Sequence, residues 1–405
     1  MKQRVCTCLS LTILFWAVWT NALYAREHQA IPAAAANNAF GFDLFQRIVD
    51  SNQGKNVFLS PYSISSALAM TYAGARGKTA QEMADTLRYG DASDVIHTSF
   101  QTLAEDLQKA GQKGCRLYVA NALWGQQDYS FQKEFLGLVD RYYDGGFNTV
   151  DYIGATAKAR KRINQWIMQH TAEKIKELIA RGDIDVDTRV VLTNAIYFKG
   201  GWAQRFIEQK TRKSTFWLES GKAVDVPMMA NSGEYAYAEP EDTLQVLELP
   251  YEGEALSMVV LLPRKGLRAL ECDLTTETLA GWLSAMHQME IELFLPKFKF
   301  QSKFYLKETL KTMGMHDAFD ERADFSAMTG RKDLYIGKVI HQADIEVNEE
   351  GTEAAAATAV VMQRKSAPQR VVFRADHPFI FLIRHKPTGT ILFMGKVMNP
   401  DGAKI

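Results

Sequence analysis

The chain has 405 residues, 47% apolar and 23% charged, an ordinary globular composition that excludes a disordered chain, a collagen-like repeat and a disulfide-dense mini-scaffold. Its 47 basic and 47 acidic residues leave a formal net charge of +0. With no surplus to hold a phosphate backbone, nucleic acid is not an expected partner.

Residues 1–25 stand apart. Lys2 and Arg4 precede an apolar run over 9–19, and small residues follow at Ala22 and Ala25. A basic start, a short apolar core and a small-residue end make a secretory signal peptide. The run is about half of the ~20 residues that cross a bilayer. We expect residues 1–25 to be removed and 26–405 to be one secreted domain, extracellular or periplasmic, off the membrane. The mature chain keeps only Cys115 and Cys272, too few for a disulfide framework and in no zinc spacing. Two buried free thiols in a large core are expected, with one bridge between them as the alternative.

In chain order, 37–50 is predicted to be an amphipathic helix through Phe40, Leu44, Phe45 and Ile48. Ser60-Pro61 opens the next, a capping hydroxyl followed by proline at the first helical position, running to Ala73. Thr79-Ala80-Gln81-Glu82 reads as a capping box that starts a third. Helices are also predicted over 94–109, 130–141 and 156–179. The last carries the dense basic stretch Lys158-Ala159-Arg160-Lys161-Arg162 beside Ile163, Trp166 and Ile167. The second half turns to β-branched and aromatic runs at 190–198, 244–250, 256–262, 291–295, 334–347, 371–374, 379–384 and 391–397, read as strands. Helices first and strands later, without βαβ alternation or an internal repeat, indicate an α+β fold.

No catalytic constellation emerges. GxSxG, HExxH and GxGxxG are absent, and Gly77-Lys78-Thr79 lacks the earlier glycine a phosphate loop needs. The eight histidines show no metal-ligand spacing. Neither an enzyme nor a cofactor is expected.

Residues 349–368 are the odd segment. Glu349-Glu350-Gly351-Thr352-Glu353 leads into Ala354-Ala355-Ala356-Ala357-Thr358 and then into β-branched residues. Alanine favours helix, yet the segment lies between strong strand patterns. At period two, Thr352, Ala354, Ala356, Thr358 and Val360 share one face. No proline occurs before Pro368, so nothing bars the stretch from a central strand. It is suited to be a loop at one time and a strand at another.

Here the chain resembles the serpin family, over nearly all of 37–400. The matching stretches are 56–64, Leu192-Thr-Asn-Ala-Ile-Tyr-Phe-Lys-Gly-Gly-Trp202, Leu295-Pro-Lys-Phe298, 349–358, Ala375-Asp-His-Pro-Phe-Ile-Phe381 and Phe393-Met-Gly-Lys-Val-Met-Asn-Pro400. The resemblance implies three β-sheets, eight or nine helices and an exposed reactive-centre loop at about 349–368. It implies a monomer that traps a serine protease as an acyl-enzyme when its cut loop enters the main sheet. Glu349 to Thr358 match the hinge of inhibitory members, whose small side chains enter a closed sheet at low steric cost. Ser60, Ser63, Asn194 and His341 match the polar cluster that governs sheet opening. Trp202, Lys297 and Glu349 match the group where the loop first enters. Counting from Gly351 puts the cleaved bond at Lys365–Ser366; counting back from Phe373 and Pro378 puts it at Arg364–Lys365. Either residue is a long cation, which an acidic primary pocket of a trypsin-like protease accepts. The alternative within the family is a non-inhibitory carrier, chaperone or simple substrate.

Overall fold

Leu256–Pro263 is buried at every residue, as its unbroken apolar run requires of a strand covered on both faces. The computed structural model that shows this describes residues 32–111, 114–352 and 371–402. The segments 1–25, 353–358 and 364–366 lie outside the described residues. Ten α-helices are described, among them Pro32–Ser51, Pro61–Tyr72 and Tyr152–His170.

The six-stranded main sheet runs in the order Phe298–Tyr305, Lys338–Val347, Gly351–Thr352, Val190–Gly201, Cys115–Gln126, Phe147–Val150. The remaining nine strands form a second network. They divide at the sixteen-residue strand Ala223–Ala238, which joins Leu244–Pro250 on one side and His287–Pro296 on the other. One division holds Val57–Leu59, Thr390–Val397, Phe379–His385, Leu256–Pro263 and Leu244–Pro250; the other adds Arg212–Trp217 and Val371–Arg374 to the shared strand and its partner. Three sheets result, as expected. The main sheet packs on the second network through aromatic contacts, Phe198 on Tyr251 at 5.0 Å and Phe298 on Phe381 at 5.5 Å between ring centroids.

The centre of the main sheet is a parallel pair. Lys338–Val347 lies beside Val190–Gly201 in register from Lys338 opposite Val191 to Asp344 opposite Tyr197. Parallel neighbours are slightly weaker than antiparallel ones. The outer face of this pair is covered by helix Tyr152–His170, whose Ile163 and Ile167 join a buried cluster with Trp124, Val191, Ala195 and Ile340.

Four expectations need correction. The third helix starts at Gly77 with Arg76 as its uncapped N-cap. Thr79 sits within it, and its hydroxyl accepts the Asp324 N–H at 2.9 Å, so a tertiary contact replaces the capping box. The helix predicted over 156–179 stops at His170. Thr171 Oγ1 takes the Ile175 N–H, Ala172 and Glu173 turn left-handed, and Asn164 folds the chain back by bonding the N–H groups of Leu178 and Ile179. The helical first half is interrupted by the twelve-residue strand Cys115–Gln126. Among the described residues Cys115 and Cys272 are free, but only Cys115 is buried; Cys272 is exposed.

Candidate functional site

The turn after Lys338–Val347 is built by Asn348. Its Oδ1 accepts the N–H groups of Glu350 at 3.0 Å and Gly351 at 3.2 Å, reversing the chain within four residues. Gly351 and Thr352 are thereby laid into the main sheet, paired with Gly201 and Gly200 on one side, while Thr352 meets Val347 on the other. Gly351 has no substitute here. A Cβ on it would lie 2.1 Å from the Gly200 carbonyl oxygen and 2.7 Å from Gly201 Cα. The sheet is therefore parted at one end by two residues of the odd segment and closed below them.

Charged and aromatic groups surround the parting. Lys297 Nζ stands 2.8 Å from Glu349 Oε2, and the Thr211 hydroxyl donates to Glu349 Oε1 at 2.7 Å. Burial alone would raise the Glu349 carboxyl, but Lys297 and Thr211 outweigh it and hold it below the ordinary carboxylate range. Trp202 Nε1 donates to the Asn348 carbonyl at 2.9 Å, and the Trp202 N–H donates to the Glu350 carbonyl at 2.9 Å. The three residues expected at the point of loop entry thus meet around one turn.

Below, where the sheet is closed, a second cluster links its inner face to the start of helix Pro61–Tyr72. Ser60 is the N-cap, its hydroxyl accepting the Ser63 N–H at 3.1 Å, and Pro61 is the first helical residue. His341 and Asn194 are partners across the parallel pair. Asn194 Nδ2 donates to Ser63 Oγ at 2.6 Å, and His341 Nε2 accepts the Ser60 N–H at 3.2 Å. His341 Nδ1 bonds Asn194 Oδ1. Burial pushes the imidazole down to about 3, so it stays neutral, donating from Nδ1 and accepting at Nε2. Pulling the two strands apart breaks the histidine–asparagine bond. All four residues expected in this cluster are present, and all are fully buried.

Sequence reasoning missed three members. Asn121, from strand Cys115–Gln126, accepts from Ser63 Oγ at 2.9 Å and from Asn194 Nδ2 at 2.5 Å. Thr211 completes the Glu349 site, and Tyr251 touches Thr352. The only signal was an asparagine at an apolar-flanked position, Ala120-Asn121-Ala122, which a buried polar network would explain. Among the described residues no cluster of His, Cys, Asp and Glu could hold a metal ion. No described helix is long and apolar enough to cross a membrane.

Comparison with known proteins bears on this arrangement. The family model described as Serpin (serine protease inhibitor) matches residues 35–400. The leukocyte elastase inhibitor of Bos taurus is 42% identical over 376 residues, 91% of this chain and 99% of its own length. Its human counterpart is 41% identical over 377 residues, again 91% and 99% of the two chains. An uncharacterised serpin-like protein of Thermococcus kodakarensis is 42% identical over 382 residues, 93% of this chain and 88% of its own. Among solved structures, uncleaved ovalbumin superposes with a TM-score of 0.82 at 30% identity, covering 91% of this chain and 100% of its own. Human thyroxine-binding globulin with its hormone gives 0.84 at 31% identity, covering 91% and 98%.

Proposed function

The chain belongs to the serpin family, inhibitors of serine proteases rather than enzymes, and we propose that it is a secreted, single-use inhibitor of trypsin-like serine proteases. The observation that carries this reading is the seated pair Gly351–Thr352 above a closed parallel pair. Extending the antiparallel register of Thr352 down both neighbours would bring Ala355 between Tyr197 and Asp344, and Val361 between Val191 and Lys338. Each of these is an existing partner pair, so the sheet can accept residues 353–361 without a slip of either strand. Thr358 would arrive between Asn194 and His341, the polar cluster that would have to open.

The proposed chemistry needs only the protease's own apparatus. Its serine hydroxyl attacks the carbonyl carbon of Lys365, or Arg364 in the alternative count. The peptide bond breaks, the leaving amine of the next residue takes the proton, and the protease stays esterified to the loop. Freed from its distal anchor, the hinge continues into the sheet. Insertion replaces one parallel ladder by two antiparallel ones, at about 1 kcal/mol for each net hydrogen bond gained. Residues 353–361 alone would span ~30 Å at ~3.3 Å per residue, so the tethered protease is dragged far along the domain. The trypsin-like target rests on the cationic side chains of Arg364 and Lys365, and export rests on residues 1–25.

Mixing the secreted protein with trypsin tests the reading. A denaturant-resistant band near the summed masses is expected, with a new C-terminal peptide starting at Ser366 or Lys365. The likeness to thyroxine-binding globulin favours a carrier as the second reading, and for a carrier the same mixture yields clipped chain only.

A further inference from the structure

Thr352 is held in the main sheet by a side chain from outside it. Tyr251 follows strand Leu244–Pro250 and is fully buried. Its ring stacks on Trp202 with centroids 4.7 Å and planes 10° apart, and Phe198 meets it edge-on at 5.0 Å. An isolated bridge also pairs the backbones of Trp202 and Tyr251. A ring clamped on two sides and fixed at its backbone can aim its hydroxyl in one direction only. That hydroxyl lies 2.8 Å from Thr352 Oγ1, in a site where Thr352 is 1% exposed. Water is excluded from the pair, so each hydroxyl depends on the other. The same Trp202 grips the Asn348 carbonyl, so the aromatic pair holds both ends of the turn that delivers the hinge.

We propose that Tyr251 is a positioning residue that keeps Thr352 seated in the sheet before cleavage, and so sets how many cleaved loops trap their protease and how many are hydrolysed. The inference rests on the trapping reading above. Once the ester has formed, two events compete: water attacks it, or the hinge advances into the sheet. Advance from a seated Thr352 extends an existing ladder. Advance from an unseated hinge must first order the turn and part the strands, a loss of chain entropy before any bond repays it. The hydroxyl pair favours the seated state in which extension starts.

The test uses the full secreted chain and trypsin, with band intensities giving the ratio of hydrolysed to trapped inhibitor. Tyr251→Phe keeps the stack and removes the hydroxyl. Its ratio is expected to rise about fivefold, the weight of one net hydrogen bond, while the overall rate of loop cleavage stays unchanged. Thr352→Val removes the other hydroxyl at constant shape and should raise the ratio equally, with the double variant no worse than either single one. An unchanged ratio in Tyr251→Phe overturns the proposal. So does a rise in Tyr251→Phe that Thr352→Val does not share, because the effect would then belong to packing. If the unaltered protein itself traps no trypsin, the functional reading fails first, and the two failures are told apart in the same gel.

Discussion

Gly351 and Thr352 show how closely one position is matched to one side chain. The first tolerates no Cβ against Gly200, and the second fills a dry site beside Tyr251. Thr352→Arg should therefore be decisive. A guanidinium there would replace a hydroxyl whose described partner is the Tyr251 hydroxyl, and burying a charge in so dry a site costs several kcal/mol. The variant's hinge stays outside the sheet, so trypsin should still cut the loop at an undiminished rate while the trapped band disappears; a surviving band would remove Thr352 from the insertion path. Most of this site was readable at the residue scale. Ser60 and Pro61 announced a helix start, and the order of matching stretches brought Asn194, His341, Trp202, Lys297 and Glu349 into question together. Asn121 and Tyr251 were not readable. One lies in a strand that period and propensity hide, and the other is a tyrosine among many, with nothing local to mark its hydroxyl.

Strands rich in β-branched residues, such as Val190–Gly201, declared themselves, whereas Cys115–Gln126 did not. Its Ala120-Asn121-Ala122 centre and Gly125 carry little strand propensity. Packing between helix Tyr152–His170 and Val190–Gly201 makes it a strand nonetheless. The edge strand Val371–Arg374 raises a question of its own, since it anchors the far end of the odd segment. It pairs only with Ile291–Phe294 among the described residues. Just beyond it, His377 Nδ1 lies 2.9 Å from Asp376 Oδ1 and Nε2 lies 2.7 Å from the Pro263 carbonyl. Both partners are acceptors, so both ring nitrogens must carry protons to bond them. Burial works against the charge, but Asp376 and the Pro263 carbonyl prevail and raise the His377 pKa above its ordinary 6.5. A raised histidine stabilises fully below about 6.5 and loses that contribution as pH climbs through its folded value. Amide exchange of 371–374, corrected for intrinsic rate, should accordingly be less protected at pH 8.5 than at pH 6, and a His377→Gln chain should lack the difference. Equal protection of the unaltered chain at both values would show that His377 does not steady this strand.

On the proposed reading, the whole molecule is organised around a sheet that is one strand short of its best arrangement. Its central pair is parallel, its register admits the missing strand without a slip, and the first two residues of that strand are already in place. The three-sheet architecture followed from family likeness rather than from periodicity, because helix and strand patterns describe elements and say little about which strands become neighbours. That the sheet is closed below the hinge was not readable at all. Closed and filled sheets use the same residues and differ only in pairing. If the account is right, the intact protein lies uphill of its clipped form, which should complete the main sheet and gain its extra ladder. The most direct measurement is thermal melting of the intact chain beside the same chain nicked within 362–366. A clipped form that melts far above the intact one is the predicted result, and a clipped form that melts at or below it would contradict the account.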